Sequence, residues 1–195
     1  MNNIKKESNE IIRKYSNKEQ LKDYIKKEFL TDDEDAHIYL VIEDRHDLFD
    51  KRTVEGQLDI KNDIYSYIDN KAAVLDNSTK LHFHIKGLIT SEEDEENVKK
   101  IIREHYAIEL YKSQREYKLN KYKMVTLILL GIIMLSVYAI VYIWTKSAFL
   151  LEVFGFLFSF ALWQAFEIFM YDLSDIRFNS ESIAQKLLMN IDFEL

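Results

Sequence analysis

The sequence predicts an α/β membrane protein, in which a small cytosolic α/β domain of two or three strands with flanking helices is joined by a long helix to a transmembrane helical hairpin. Three observations predict it. Two apolar runs, Met124–Trp144 and Ala148–Met170, lie near the C-terminus with only Thr145–Ser147 between them. Strand and helix patterns alternate before these runs. No proline interrupts the helical stretch that begins at Glu92 and continues into the first run.

Both apolar runs have the length of membrane spans. Each contains roughly 20 residues, and a helix of that length reaches about 30 Å, the thickness of a bilayer's hydrocarbon core. Positive charge favours the cytoplasmic side, so both termini are expected in the cytoplasm. The N-terminus lacks the apolar segment of a cleaved signal. The cations before the first run that indicate this orientation are Lys112, Arg115, Lys118, Lys121 and Lys123.

Composition narrows the possible functions. The chain has 195 residues, of which 48% are hydrophobic and 30% charged. It contains no cysteine, which excludes disulfides, thiolate metal sites and cysteine nucleophiles. The formal net charge of -7 argues against indiscriminate binding to nucleic acid, although it allows a local basic site.

The soluble part is predicted in chain order from its apolar spacing. Two amphipathic helices, Asn3–Tyr15 and Lys18–Phe29, occupy a first segment of residues 1–36, and the α/β domain covers residues 37–111. A strand, a helix and a second strand predict a right-handed parallel unit. Its elements are the strand His37–Asp44, the polar loop Arg45–Gly56 with Leu48 and Phe49 as anchors, the helix Leu58–Asn70 and the strand Lys80–Lys86.

A long helix is predicted from Glu92 to Trp144, and it would extend roughly 80 Å at about 1.5 Å per residue. Residues 112–123 form its juxtamembrane part, and the hairpin occupies residues 124–171. The cytosolic tail, residues 172–195, is predicted to contain a helix, Ser180–Met189, and a strand, Asn190–Leu195. This strand is expected to join the α/β domain, because a sheet of two strands is only marginally stable.

One side of the second span carries polar, small and aromatic side chains at helical spacing. A carboxylate inside a bilayer costs a few kcal/mol and normally faces protein or water. One chain with two spans cannot enclose a water path, so we expect a homo-oligomer, with a tetramer as one candidate, whose second spans line a pore. The candidate pore and gate residues are Glu152, Phe156, Ser159, Phe160, Trp163 and Glu167.

A packing face remains the alternative interpretation of this stripe. Glutamates about one turn from a membrane boundary can snorkel, and tryptophan and tyrosine are common in interfacial belts. Gly155 and Ser159, beside the stripe, have the small-xxx-small spacing that lets a neighbouring helix approach closely. The opposite side is expected to face lipid, and it carries Leu151, Phe154, Leu157, Phe158, Ala161, Leu162, Ala165, Ile168 and Phe169.

Basic residues of the α/β domain are the candidates for ligand binding. Parallel sheets bind ligands outside the C-terminal ends of their strands, which points to the loop after the first strand. Alternation also places four basic side chains, Lys80, His82, His84 and Lys86, on the polar face of the second predicted strand, and the last three are candidates. The alternative for each of them is an ordinary solvated surface. The candidates are Arg45, His46, Lys51 and Arg52 in the loop and His82, His84 and Lys86 on the strand.

No sequence motif for a chemical reaction is present. The five histidines form no metal-binding pattern, and there is no glycine-rich phosphate loop, nucleophile elbow or pair of catalytic carboxylates. The sequence therefore predicts a protein that is not an enzyme and that has no cofactor and no metal site.

The end of the second span resembles a known family. The segment from Leu162 to Glu167 (LWQAFE), followed by Tyr171 and Asp172, is similar to small bacterial membrane proteins with a cytosolic α/β segment and two spans. Proteins of this plan also resemble channel effectors of anti-phage defence, of the Hailong (HalB) type. The resemblance implies an oligomeric channel in the bacterial inner membrane that acts in abortive infection. It also implies an aromatic gate and a cytosolic domain that senses a nucleotide or single-stranded oligonucleotide made by a partner nucleotidyltransferase.

Three classes of function therefore compete. The first is a homo-oligomeric channel effector that is gated through its cytosolic domain. The second is a membrane-anchored adaptor or scaffold whose hairpin only holds the domain at the bilayer. The third is an enzyme, which no motif supports.

Overall fold

The computed structural model describes residues 35–50, 59–87, 92–145 and 147–194. The predicted helices Asn3–Tyr15 and Lys18–Phe29 lie outside the described residues, and so does most of the loop after the first strand. The chain divides into two compact units. One contains the described residues up to Ala107 together with the chain from Ala184 onward, and the other is Ile108–Ile183.

The first unit is built on a three-stranded parallel sheet. Its strands are β1 (Ala36–Ile42), β2 (Leu81–Gly87) and β3 (Asn190–Glu194), in the order β1-β2-β3. In the register, Ile38 lies beside Phe83, which lies beside Ile191. All three predicted strands are present with bounds that differ by at most two residues, and the prediction that the C-terminal segment completes the sheet is confirmed.

Helices connect these strands. A short helix α1 (Arg45–Leu48) follows β1, and α2 (Asn62–Ala72) leads towards β2. The segment that was expected to be a loop therefore starts with a helical turn. Its predicted anchors, Leu48 and Phe49, are buried, and Phe49 forms an antiparallel bridge with Ile60. The long helix α3 (Glu92–Trp144) has the predicted bounds.

The two faces of the sheet differ in chemistry because side chains alternate along each strand. Ile38, Phe83 and Ile85 are buried on one face, where Ile68 of α2 and Ile102 of α3 complete the core. Successive right-handed crossovers in the order β1-β2-β3 place their helices on the same face. The other face carries polar and aromatic residues, and none of the helices that the structure describes between the strands is expected to cover it.

The second unit is a pair of antiparallel helices. The C-terminal part of α3 pairs with α4 (Ala148–Glu167), which continues through a π-helix (Ile168–Asp172) into α5 (Leu173–Leu187). Three contacts fix the pairing. Ser113 Oγ lies 2.9 Å from Ser180 Oγ, Gly131 faces Ala161 and Leu162, and Gly155 faces Tyr138. The residue numbers of the contacts increase along α3 while those of their partners on the returning helix decrease. The two helices therefore keep one antiparallel register over their length.

The helix after the second apolar run begins earlier than predicted. We expected a separate helix at Ser180–Met189, but α5 starts at Leu173, directly after the π-helix. The polar residues around Asp172 interrupt the apolar pattern without interrupting the helix, because neither glycine nor proline lies there. Apolar periodicity alone could not detect this continuation.

Candidate functional site

The predicted pore stripe lies on the outer surface of α4. All six of its residues are exposed, and the largest rings, Phe156 and Trp163, are 70% and 65% exposed. They are exposed because α4 packs on α3 through a different side. The structure therefore keeps together the six side chains that the helical spacing grouped: Glu152, Phe156, Ser159, Phe160, Trp163 and Glu167.

The side of α4 that was expected to face lipid is in part the helix–helix contact, which corrects the prediction for the residues that are buried there. Ala161, Ala165 and Ile168 are buried, whereas Leu157 and Phe169 remain exposed. A helical wheel separates the two sides of a helix but does not say which side meets a neighbour. The informative signal was residue size, since alanine and glycine allow backbones to approach closely.

Of the small pair in α4, Gly155 faces the neighbouring helix α3. A Cβ added there would lie 3.6 Å from Tyr138 Cε2, an ordinary contact. Ser159 is exposed. A Cβ at Gly131 would lie only 3.2 Å from Leu162 Cδ2, so this glycine of α3, which sequence reasoning missed, allows the two helices to approach closely.

Aromatic rings fill the middle of the stripe and carboxylates lie at its two ends. Phe156 and Phe160 stack with ring centroids 6.2 Å apart. Glu167 accepts a hydrogen bond of 2.9 Å from the Gln164 side-chain amide. An apolar middle between charged ends can form a constriction that water leaves when several copies converge. The same arrangement also fits snorkelling of both glutamates, the alternative that the sequence left open.

The second group of candidates lies on the polar face of the sheet. His82 and His84 of β2 stand beside His37 and Tyr39 of β1, as the register requires. His37 stacks on His82 at 4.8 Å and on His84 at 5.0 Å, and Tyr39 stacks on His84 at 4.8 Å. His37 Nδ1 and His84 Nε2 are 2.8 Å apart, so the two imidazoles share one proton in a hydrogen bond.

Carboxylates surround these basic groups. Glu194 lies 2.8 Å from Lys86 Nζ and 2.9 Å from His84 Nδ1. His82 Nε2 lies 3.3 Å from Asp35. The Lys86–Glu194 hydrogen bond raises the pKa of Lys86 and lowers the pKa of Glu194. Burial lowers the pKa of His37, and the neighbouring His82 and His84 lower it further.

Carboxylates already lie against the basic groups of this face. Asp35 and Asp192 lie 3.3 and 4.0 Å from His82, and Glu194 lies 2.8 Å from Lys86. A phosphate would have to displace an existing carboxylate partner, so the geometry does not favour an anion here. Sequence reasoning considered β2 alone and missed His37 and Tyr39, which alternation along β1 places on the same face.

The remaining ligand candidates are only partly described. Arg45 and His46 lie in α1, which begins shortly after β1 ends, so they are at the C-terminal edge of the sheet as expected. Lys51 and Arg52 lie outside the described residues. Within the part of the chain that the structure describes, no three histidine or acidic side chains are arranged to hold a metal ion.

A cleft of about 380 Å³ lies at the other edge of the sheet, where β2 and β3 begin. Gln185 fixes its wall by donating hydrogen bonds of 2.8 and 2.7 Å to the carbonyl oxygens of Asp76 and Thr79. Sequence reasoning missed this cleft, because it depends on the return of the chain from α5. Its lining consists of Asn77, Ser78, Thr79, Lys80, Leu81, Gln185, Leu188 and Asn190.

No protein-family model, no curated protein and no solved structure matches the chain. The fold and the candidate sites therefore define its class on structural grounds. It combines a small parallel α/β unit with two helices that are long and apolar enough to cross a membrane. Only 6% and 11% of their most apolar 18-residue stretches are buried, which is unlike the core helices of a soluble domain.

Proposed function

We propose that the protein is a homo-oligomeric membrane channel in which the α4 helices of several copies line the pore. The observation that carries this proposal is the exposed stripe of α4, in which aromatic rings lie between two glutamates. In a bilayer such a stripe needs a polar or protein environment, and its own hairpin does not provide one. Packing copies around an axis gives the glutamates access to water and lets the rings close the path.

The rings Phe156, Phe160 and Trp163 form the gate in this proposal, because converging apolar side chains exclude water from a narrow pore. Glu152 and Glu167 form a negative ring at each mouth, and such rings favour cations. In this arrangement the α3–α4 contact within each copy stays the same when the gate opens or closes. Gly131, Ala161 and Ala165 form this contact.

The α/β unit is the regulatory part in this proposal. The chain enters the apolar helices after β2 and returns from them into β3, so two of its three strands are directly linked in sequence to the pore-forming segments. The ligand would be a nucleotide or oligonucleotide from a partner enzyme, with an anti-phage effector as the biological setting. Arg45, His46, Lys51 and Arg52 are its candidate contacts, since His82, His84 and Lys86 already have acidic neighbours.

A membrane-anchored adaptor is the second candidate. It is favoured by the position of both glutamates near the ends of α4 and by Tyr142 and Trp144 at the end of α3, which is typical of interfacial residues. An adaptor would keep its function when the hairpin is replaced by an unrelated one, whereas a channel would lose it.

Planar-bilayer recordings of the full chain and its Trp163→Ala variant test the proposal. Loss of the indole widens the constriction, so we expect leak current from the variant without any trigger, and slowed growth of cells that express it. Phe169→Ala is the matched control, because Phe169 is an exposed ring outside the stripe. No current from any of the three proteins, with the oligomer intact, would remove the channel and leave the adaptor.

A further inference from the structure

The part of α3 that precedes the first apolar run is strongly basic. It carries five cations between Lys112 and Lys123 and one carboxylate, Glu116. Four of these cations lie within three turns of Met124, where the apolar run begins. We name them the basic collar: Arg115, Lys118, Lys121 and Lys123, all of which are exposed.

Part of the basic collar points away from the helix partner. Ser113 is buried against Ser180 and marks the inner side of α3 at this level. At 100° per residue, Arg115 and Lys118 fall on the opposite side together with Tyr111 and Tyr122. These tyrosines are 70% and 73% exposed. The same outer side continues into the apolar run through exposed residues that include Val125 and Leu129.

The basic collar has no acidic partner among the described residues. Lys112, just before it, is paired with Glu109 at 2.8 Å, but no ion pair joins Arg115, Lys118, Lys121 or Lys123 to a carboxylate. Asp172 and Asp175 of the returning helix are exposed at a similar level, and neither forms an ion pair with the collar. Four unpaired cations therefore remain available for an external anion.

We propose that the basic collar binds the phosphate groups of anionic phospholipids, in the leaflet next to Met124. The inference rests on the membrane placement in the proposed function. If the hydrocarbon boundary lies near Met124, Lys118 is about 9 Å outside it, and the headgroup layer is roughly 5–8 Å thick. Lysine and arginine side chains reach several ångströms further, and surface charges act over about 8–10 Å at physiological salt.

The proposed lipid binding differs from the known effect of positive charge on the orientation of membrane spans. Cations that only set topology act during insertion and have no lasting preference for a headgroup. The basic collar predicts a lasting preference for a phosphatidylglycerol-type headgroup over phosphatidylcholine. One cation near an anionic leaflet contributes an effect of about fivefold, so four of them should give at least that preference.

A tryptophan reporter beside the basic collar measures this preference. In the full chain, Trp144→Phe and Trp163→Phe remove both native tryptophans, and Tyr122→Trp places the only indole on the outer side of α3. The protein is reconstituted in phosphatidylcholine vesicles that contain either brominated phosphatidylglycerol or brominated phosphatidylcholine. Quenching by each lipid gives their relative affinity at the site.

We expect at least about fivefold stronger association of phosphatidylglycerol, decreasing in about 1 M salt, where charges are screened beyond about 3 Å. Replacing all four collar cations by glutamine should abolish the preference. The matched control replaces four cations of the α/β unit, Lys61, Lys80, Lys100 and Arg103, and should keep it.

Three results would overturn the proposal. Equal quenching by both lipids would show an inserted helix without headgroup selectivity, which leaves the membrane placement intact. If the preference for phosphatidylglycerol persists after all four collar cations are replaced by glutamine, other residues cause it. If neither brominated lipid quenches the reporter, the helix is not in the bilayer, and the proposed function fails as well.

Discussion

At the residue scale, His37 on the polar face of the sheet makes stability depend on pH. The pKa of His37 lies below its ordinary value of 6.5, mainly through burial and then through His82 and His84, while Asp35 and Asp192 oppose the shift. As the pH falls below 6.5, the unfolded chain binds a proton that the folded chain resists. Stability is therefore complete above pH 6.5 and decreases as the pH falls through the folded pKa.

His37→Gln should weaken this acid sensitivity. The variant removes the titrating group, so its melting temperature should fall less than that of the wild type between about pH 7.5 and about pH 5.5. Thermal unfolding of the full chain in mild detergent measures the difference. Tyr39→Phe, on the same face and without a group that titrates in this range, should behave as the wild type. An unchanged slope for His37→Gln would contradict the prediction.

At the element scale, a partly buried ion pair joins the last turn of α5 to α2. The Lys186 side chain is 10% exposed, and its Nζ lies 2.6 Å from Asp69 Oδ1. The ammonium also lies over the ring of Tyr106, 5.3 Å from its centroid. The Tyr106 hydroxyl donates a hydrogen bond of 3.3 Å to the same carboxylate. This cluster fixes the segment that leads into β3. The Asp69 side chain is 46% exposed, so water solvates it better than it solvates Lys186.

Removing the two partners should have unequal effects. Asp69→Asn leaves a nearly buried ammonium without its counter-charge and should cost roughly 1–3 kcal/mol, below the range for a fully buried pair because Asp69 reaches water. Lys186→Met keeps most of the packing and leaves a carboxylate that water can solvate, so it should cost less. Melting temperatures of the two variants test the order, and a larger loss for Lys186→Met would contradict it.

Sequence patterns predicted the elements better than their contacts. The strands and α3 follow from alternation, branched residues and an unbroken helical pattern, and β3 from the instability of a two-stranded sheet. The π-helix at Ile168–Asp172 was missed, because one extra residue in a turn leaves no signal in apolar spacing. Gly87 was also missed. Its φ of 131° brings β2 so close to β1 that a Cβ would lie 1.9 Å from the Ile42 carbonyl oxygen, and only the paired strands reveal this.

The candidate sites were predicted to different degrees for the same reason. The stripe of α4 follows from helical spacing within one segment, so its six residues stay together in the structure. The polar face of the sheet combines three strands that are distant in sequence. Alternation along β2 alone predicted His82, His84 and Lys86. Their acidic partners Asp192 and Glu194 could not be assigned before the register was known.

At the scale of the whole molecule, the proposed channel requires copies to meet through the stripe of α4. The chain has no cysteine, so single introduced cysteines report contacts between copies without background. Ser159 lies on the stripe, and Ser136 is an exposed serine of α3 whose hydroxyl donates a hydrogen bond to the Ile132 carbonyl oxygen. The two positions are matched in side chain and in exposure.

Ser159→Cys should form disulfide-linked copies in native membranes under mild oxidation, because the α4 helices converge on one axis in the proposed oligomer. Ser136→Cys should form few or none, since in this arrangement the outer side of α3 faces lipid. Non-reducing gels compare the two variants, and mass photometry of the wild type in mild detergent should show an oligomer rather than a monomer. If cross-linking is efficient only at Ser136, copies meet through α3 and the stripe of α4 does not line a pore. If the wild type is monomeric and neither variant cross-links, the stripe is covered by lipid and interfacial water, which favours the adaptor.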